Sequence, residues 1–454
     1  MESVIAIFDI GKTNKKFFLF DKQYHIVYEK VEATHEITDD DGDPCEDIQA
    51  LSEWVLATLT TAVQDNKYKI CALNFSTYGA SFVYVDADGK VIAPLYNYLK
   101  TYPEQLQQAF IQKYGLAEQM AVETASPTLG HLNSGMQLYW LKYQKPKLYE
   151  LVATALHLPQ YMSYLITHQT SSELTSIGCH TQLWNFQTNQ YHNWVKAEKI
   201  DALLPPITPA SHTVSVNVEG ANMQVGSGLH DSSAALIPYL TAFSMPFILI
   251  STGTWCISLH PFNNSPLTPE ELEKDCLFYM GYHGKPVKAA RLFAGHEHEM
   301  QTKKIAAHFG VAPDFYKDVV YDNRLIDVHV FEKNEHENIA VGVHPSDFDK
   351  HDLDIFPNVE TAYHTLIAAL IVQQKASTSL VLGNTKVKRI FVDGGFGKNS
   401  IYMNMLALAF KDIEVYAASV AQATAVGAAL AIHESWNPTS IPASMIDLKY
   451  YASI

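Results

Sequence analysis

The chain has 454 residues, 47% hydrophobic and 18% charged, with a formal net charge of −16. That length asks for two or three cores rather than one, and the apolar share excludes large-scale disorder. A diffuse acidic balance without a basic stripe excludes a nucleic-acid partner, because such binding rests on clustered Lys and Arg.

Cys45, Cys71, Cys179, Cys256 and Cys276 are scattered and form no CxxC pair, so neither zinc nor a disulfide framework is expected. Glu2 stands where a secretory leader needs a basic residue, and the first apolar stretch stops at Asp9. No uninterrupted apolar run approaches the roughly 20 residues of a membrane span. The expectation is a cytoplasmic protein without a membrane partner.

In chain order, residues 4–8 and 16–20 read as strands with Gly11 in the turn between them, a hairpin. Residues 26–31 suggest a third strand, 39–43 a solvated acidic loop, 47–63 a helix and 70–75 a buried strand. The pattern returns near the middle. An apolar run at 246–250, the turn Ser251-Thr252-Gly253-Thr254 and a second run at 255–259 again read as strand, glycine turn, strand. A long helix is expected over 361–380 and a buried strand over 387–392, ended by Asp393-Gly394-Gly395. Beyond them lie a helix from about Asn399, a strand at 414–417 and a small-residue helix at 421–433. Two halves with this shared order suggest duplicated α/β domains, 1–240 and 241–454.

Four segments carry candidate chemistry. Asp9-Ile10-Gly11-Lys12-Thr13-Asn14-Lys15-Lys16 contains Gly-Lys-Thr, but a P-loop needs glycine at position 6, where Ala6 stands, and a following helix rather than a strand. A turn between strands can instead form an anion nest of backbone N–H groups, to which Thr13, Asn14 and Lys16 add donors. Asp9 suits a hard cation. An ordinary polar hairpin would have the same sequence. Asp231, in Gly228-Leu229-His230-Asp231, opens a helical run; it is either a first-turn acid favoured by the helix dipole or a carboxylate that accepts a hydroxyl proton during phosphoryl transfer. Gly253-Thr254 mirrors the first turn. Gly394, Gly395 and Asn399 lie between a strand and a helix, where bare backbone lets a phosphate or flat ligand approach, although a plain tight turn fits too. His296 and His298 are two apart, a spacing that one helix cannot put on one face, so metal binding there is not expected. Tyr96, Tyr98 and Tyr102 read as packing and Trp255 as a core anchor.

Together, these segments resemble the FGGY family of carbohydrate kinases, within the actin-like ATPase fold, over nearly the whole chain. The family pattern D-x-G-x-[ST]-x-x-[RK] falls on Asp9, Gly11, Thr13 and Lys16, the second-hairpin Gly-Thr on Gly253 and Thr254, and the adenosine motif on Gly394, Gly395 and Asn399. His230-Asp231, Ser251-Thr252-Gly253-Thr254-Trp255 and the segment around Gly79 look like the rhamnulokinase and L-fuculokinase branch. The resemblance implies two ribonuclease-H-like α/β domains flanking a catalytic cleft, ATP and a small sugar as substrates, Mg²⁺ at Asp9, catalysis by Asp231, sugar contacts at Gly79 and His230, and a monomer or homodimer. Leu292 stands where the branch keeps a sugar-binding asparagine, and Tyr96-Asn97-Tyr98-Leu99 replaces an Asp-x-Arg common elsewhere in the family. A non-metabolic actin-like ATPase or sugar sensor is the rival; the helix-turn-helix or peptide-binding segments such proteins need have no counterpart in the sequence.

Overall fold

In the computed structural model, residues 1–33, 36–115, 117–332 and 339–452 are described. The chain forms two compact units. The first takes Met1–Thr241, Phe278–Pro286 and Ala421–Met445, and the second Ala242–Leu277, Val287–Val420 and Ile446–Ile454. Phe278–Pro286 and Ala421–Met445 therefore fold with the N-terminal half, although the sequence reading places both within 241–454.

The first unit is built on β1 (Glu2–Ile10), β2 (Asn14–Phe20), β3 (Ile26–Ala33), β4 (Tyr68–Thr77), β5 (Thr213–Val218), β6 (Ala221–Gly226) and the short β7 (Leu229–His230). Val4 to Phe8 are buried on both faces, as a continuous apolar run in a central strand requires. β1 pairs antiparallel with β2 and parallel with β4. β6 and β7 both run parallel to β4. Helix α1 (Ile48–Gln64) is capped by Asp47, which accepts from the N–H groups of Gln49 and Ala50. It buries Ile48, Leu51, Val55 and Leu59 along one face. The final helix of the Met1–Thr241 segment, α2 (Asp231–Ala242), starts directly at the end of β7.

The second unit repeats the plan. Strands β8 (Phe247–Thr252), β9 (Cys256–His260), β10 (Cys276–Met280), β11 (Pro286–Leu292), β12 (Arg389–Gly394), β13 (Glu414–Ser419) and β14 (Asp447–Tyr451) form a sheet in the order β10-β11-β9-β8-β12-β13-β14, of which Phe278–Met280 and Pro286 fall in the segment assigned to the first unit. β8 pairs antiparallel with β9 and parallel with β12, as β1 does with β2 and β4. The longer helices here are α3 (Ala294–Phe309), α4 (Val359–Leu382) and α5 (Ser400–Ala409); α6 (Ala423–Ala431) belongs to the first unit. Among the described residues α4 alone is long and apolar enough to cross a membrane. Half of its apolar stretch is buried, and it packs on β9, α3 and α5.

The acidic run 39–43 is a largely exposed turn, as expected, with one buried residue. Asp39 is buried, and Lys100 reaches Asp39, Asp41 and Asp43 at 2.8, 2.9 and 2.6 Å. Lys145 reaches Asp40 and Asp41 at 2.6 and 2.8 Å, so two ammonium groups occupy the carboxylate cluster.

Candidate functional site

In the first unit the sheet register brings two acids to one edge. Asp9 lies opposite Ser76 on one side of β4, and Leu229 lies opposite the same Ser76 on the other. Asp231 follows two residues after Leu229, at the start of α2. β1 and β7 are thus two strand spacings apart, about 10 Å, and both end toward the same edge. Asp9 accepts a hydrogen bond from the Thr424 hydroxyl on α6 at 2.9 Å. Burial pushes its carboxyl up to about 6; the Thr424 bond opposes that and the charge of Asp231 adds to it. Two carboxylates and a hydroxyl are hard oxygen donors, which suits a magnesium-class cation. Lys16 points its Nζ at the Gln422 side chain, 3.1 Å away. Thr13 and Asn14 are exposed at the hairpin tip, where Gly11 N–H closes the turn on the Asn14 carbonyl at 3.0 Å.

Gly79 and His230 meet. A Cβ on Gly79 would stand 2.5 Å from the His230 ring, so this glycine is bare backbone against which the imidazole packs. His230 is buried, and burial lowers its pKa, so the ring is held neutral. Its Nε2 lies 3.6 Å from Asp231 Oδ1 and 3.3 Å from the Cys179 sulfur. Asp231 Oδ1 accepts from the adjacent Ser232 N–H at 2.6 Å, in the first turn of α2. Asp231 is a first-turn acid of α2, and it stands beside His230.

The second unit carries a pocket of about 560 Å³ lined by Gly253, Gly295 and Gly395, the aromatic rings of His298, Tyr316 and Phe396, and Lys317, Lys398 and Asn399. Gly394 has φ +92, and a Cβ there would sit 1.9 Å from the Thr252 carbonyl, so only glycine fits. At Gly253 and Gly395 no atom lies within 4 Å of the place a Cβ would take, which leaves their backbone open to a ligand. Thr254 is exposed beside them, and its carbonyl accepts from His296 N–H at 3.1 Å. Asn399 caps α5: its Oδ1 accepts from Ile401 and Tyr402 N–H, and its Nδ2 donates to the Tyr363 hydroxyl at 2.7 Å. Its side chain therefore shapes the pocket wall.

Some sequence expectations change. Trp255 is half-buried, between the Phe293 ring at 4.5 Å and the Arg291 guanidinium at 5.3 Å, rather than a core anchor. Leu292 is 1% exposed, so its side chain belongs to a core and offers nothing to a sugar. Tyr96 packs on Trp140 as expected, whereas Tyr98 is only half-buried, and Asp231 is among the charges that raise its pKa after burial. Three neighbours of the site carry no sequence signal. Thr424 is 415 positions from Asp9. Cys179 sits in an unremarkable Ile-Gly-Cys-His stretch. Lys15, fully buried, pairs with Glu46 at 2.8 Å and donates to the Gly11 carbonyl at 2.7 Å.

Residues 4–237 match the N-terminal domain of the FGGY family of carbohydrate kinases, and residues 244–440 match a carbohydrate kinase FGGY C-terminal domain. The chain belongs to the FGGY family. It is similar to the rhamnulokinase of Oceanobacillus iheyensis, 23% identical over 227 residues, which are 47% of this chain and 46% of that protein. A rhamnulokinase of Halalkalibacterium halodurans is 24% identical over 257 residues, 55% of this chain and 52% of the relative. The chain thus spans about half the length of the curated relatives it matches. In fold it resembles a carbohydrate kinase from Novosphingobium aromaticivorans, with a TM-score of 0.78 and 23% identity over 99% of this chain and 94% of that one. A xylulose kinase from Lactobacillus acidophilus gives the same TM-score and coverage at 16% identity.

Within this FGGY chain one close approach ties the two acids together. A Cβ on Gly427 of α6 would fall 1.9 Å from the Ala234 carbonyl in the first turns of α2. α6 carries Thr424, the partner of Asp9, and α2 carries Asp231. Gly427→Ala is therefore expected to push the helices apart and to destabilise the protein by about 1–3 kcal/mol, the usual range for overpacking. Chemical denaturation of the purified variant checks this, and an unchanged unfolding midpoint would remove Gly427 as the spacer between the helices.

Proposed function

We propose that this chain transfers the γ-phosphoryl group of ATP to the C1 hydroxyl of a small ketose, with 6-deoxy-ketohexoses such as L-rhamnulose or L-fuculose as preferred substrates. The observation that carries the reading is the grouping of Asp231, neutral His230, bare Gly79 and Asp9 at one edge of the first sheet. The sugar lies against Gly79 and His230. Asp231 accepts the proton of the reacting hydroxyl, whose oxygen forms a bond to the γ-phosphorus as the bond to the bridging oxygen of the ADP leaving group breaks. Asp9 and Thr424 would hold magnesium, which supplies charge neutralisation for the phosphates when bound. In the first unit Gly11, Thr13, Asn14 and Lys16 offer phosphate contacts. In the second, Gly253, Thr254, Gly394, Gly395 and Asn399 form the nucleotide side.

The choice of a 6-deoxy sugar draws on the similarity to rhamnulokinases and on the aromatic residues near Asp231. A terminal methyl needs an apolar wall. Phe82 is stacked into the core against His157 at 3.9 Å, and the Tyr78 hydroxyl is engaged by Glu46 at 2.9 Å, which leaves half-buried Tyr98 as the wall. One methyl contact discriminates by about 1–3 kcal/mol, so neighbouring pentuloses should be turned over more slowly and still register. Measuring kcat/KM by ADP release for L-rhamnulose, L-fuculose, L-ribulose, D-ribulose, D-xylulose and glycerol tests the reading. The 6-deoxy-ketoses are expected to lead. A clear preference for glycerol or D-xylulose would overturn the sugar assignment.

A further inference from the structure

The first unit holds a second pocket, of about 760 Å³, that the phosphoryl-transfer reading does not use. Its walls combine the apolar faces of Leu174, Ile207 and Leu430 with the polar groups of Glu173, Tyr282 and Ser211. No lysine or arginine lines it, while Glu173 and Glu434 do. A lining without lysine or arginine offers a phosphorylated or carboxylated ligand no permanent countercharge. Hydroxyl, imidazole and carboxyl groups set among apolar walls instead suit an uncharged molecule that has many hydroxyls and a C–H face.

What sets this pocket apart is where its walls lead. Glu173 is 1% exposed and accepts from both the N–H and the hydroxyl of Thr175, and that hydroxyl accepts from the backbone N–H of His230 at 3.0 Å. Thr241 lies near the end of α2, whose first residue is Asp231. Leu430 and Ala431 end α6, near whose start Thr424 holds Asp9. Tyr282 and Gly284 form the turn after Met280, just past Tyr279, whose ring stacks on His230 at 6.5 Å between centroids. Four walls are thus the far ends of segments whose near ends carry or contact Asp9, His230 and Asp231. The Gly427–Ala234 approach packs α6 directly on α2.

We propose that this pocket is a second binding site, for an uncharged polyhydroxylated small molecule, and that its occupancy changes turnover at Asp231. The coupling half rests on the kinase reading; the binding half does not. Xylitol and sorbitol are the probes, titrated by calorimetry into the full chain. Ser211→Trp and Ile207→Trp each place an indole in the pocket from an exposed position, so at least one should keep the wild-type melting curve. Gly79→Ala blocks the other site by its clash with His230. Saturable probe binding that survives Gly79→Ala and is lost in the folded tryptophan variant is expected. Absence of saturable binding to the wild type, or binding lost in Gly79→Ala and kept in the tryptophan variant, would overturn the second site. With ketose turnover as readout, saturating probe is expected to change kcat/KM by about fivefold or more in the wild type but not in the tryptophan variant. Binding without any change in rate would overturn the coupling and leave the kinase reading intact.

Discussion

Asp231→Asn is expected to leave the protein folded and to lower kcat by roughly 10²–10⁴-fold, the range for a positioned acid or base. The carboxamide keeps an oxygen that can accept the Ser232 N–H, so that bond at the start of α2 is retained. It also keeps the volume beside His230. What it loses is the capacity to take a proton from a reacting hydroxyl. Ketose binding measured by calorimetry should therefore survive while turnover collapses, and the KM for ATP should move little. A variant with wild-type kcat would take Asp231 out of the chemistry and leave it as a helix-terminal acid.

The second large effect concerns acid. Burial lowers His157 to about 3, and lowers His131, His260 and His298 to about 4. All four are neutral in the folded chain at pH 5, whereas an unfolded histidine takes up a proton below about 6.5. As pH falls from 6.5 toward 4 the unfolded state binds more protons, so these residues remove stability. Asp9 and Glu173 act in the opposite sense. Burial raises their folded values to about 6 and about 7, so the folded state holds their protons in this window. Burial lowers His230 and His283 as well and raises Glu297, so the histidines outnumber the carboxyls, unfolding near pH 5 takes up protons, and stability falls as pH falls. The melting temperature should fall steeply between pH 6.5 and pH 4.5. It should fall less in His157→Gln, which removes one of the strongly shifted rings. A melting temperature that stays level across that range would contradict the buried neutral state of these histidines.

Much of the framework was legible because its signals are local. The run 4–8, apolar on both faces and ended by a glycine turn, reads as a buried strand, and Gly11 and Gly253 mark the turns between paired strands. Asp231 announced itself by standing before a small-residue helix. The relations that make a site were not legible, because they join positions far apart in the chain. Nothing near residue 424 says that its hydroxyl will meet Asp9, and nothing at Gly79 says that its missing Cβ makes room for the ring of His230. Asn399 reads as a ligand contact by resemblance, yet Asn before a helical run is also an N-cap signature, and its side chain is spent on that role. The acidic run 39–43 is largely exposed, as its charge pattern suggests, but its pairing with Lys100 and Lys145, 57 or more residues later in the chain, was not legible.

The central claim is phosphoryl transfer from ATP to a ketose hydroxyl, and product analysis tests it most directly. Wild-type protein, ATP, magnesium and L-rhamnulose are incubated together and followed by phosphorus NMR. A new phosphomonoester should appear in step with ADP, split by the two protons on C1, and chelation of magnesium by EDTA should stop it. Release of inorganic phosphate without a sugar phosphate, across the ketose panel, would contradict it.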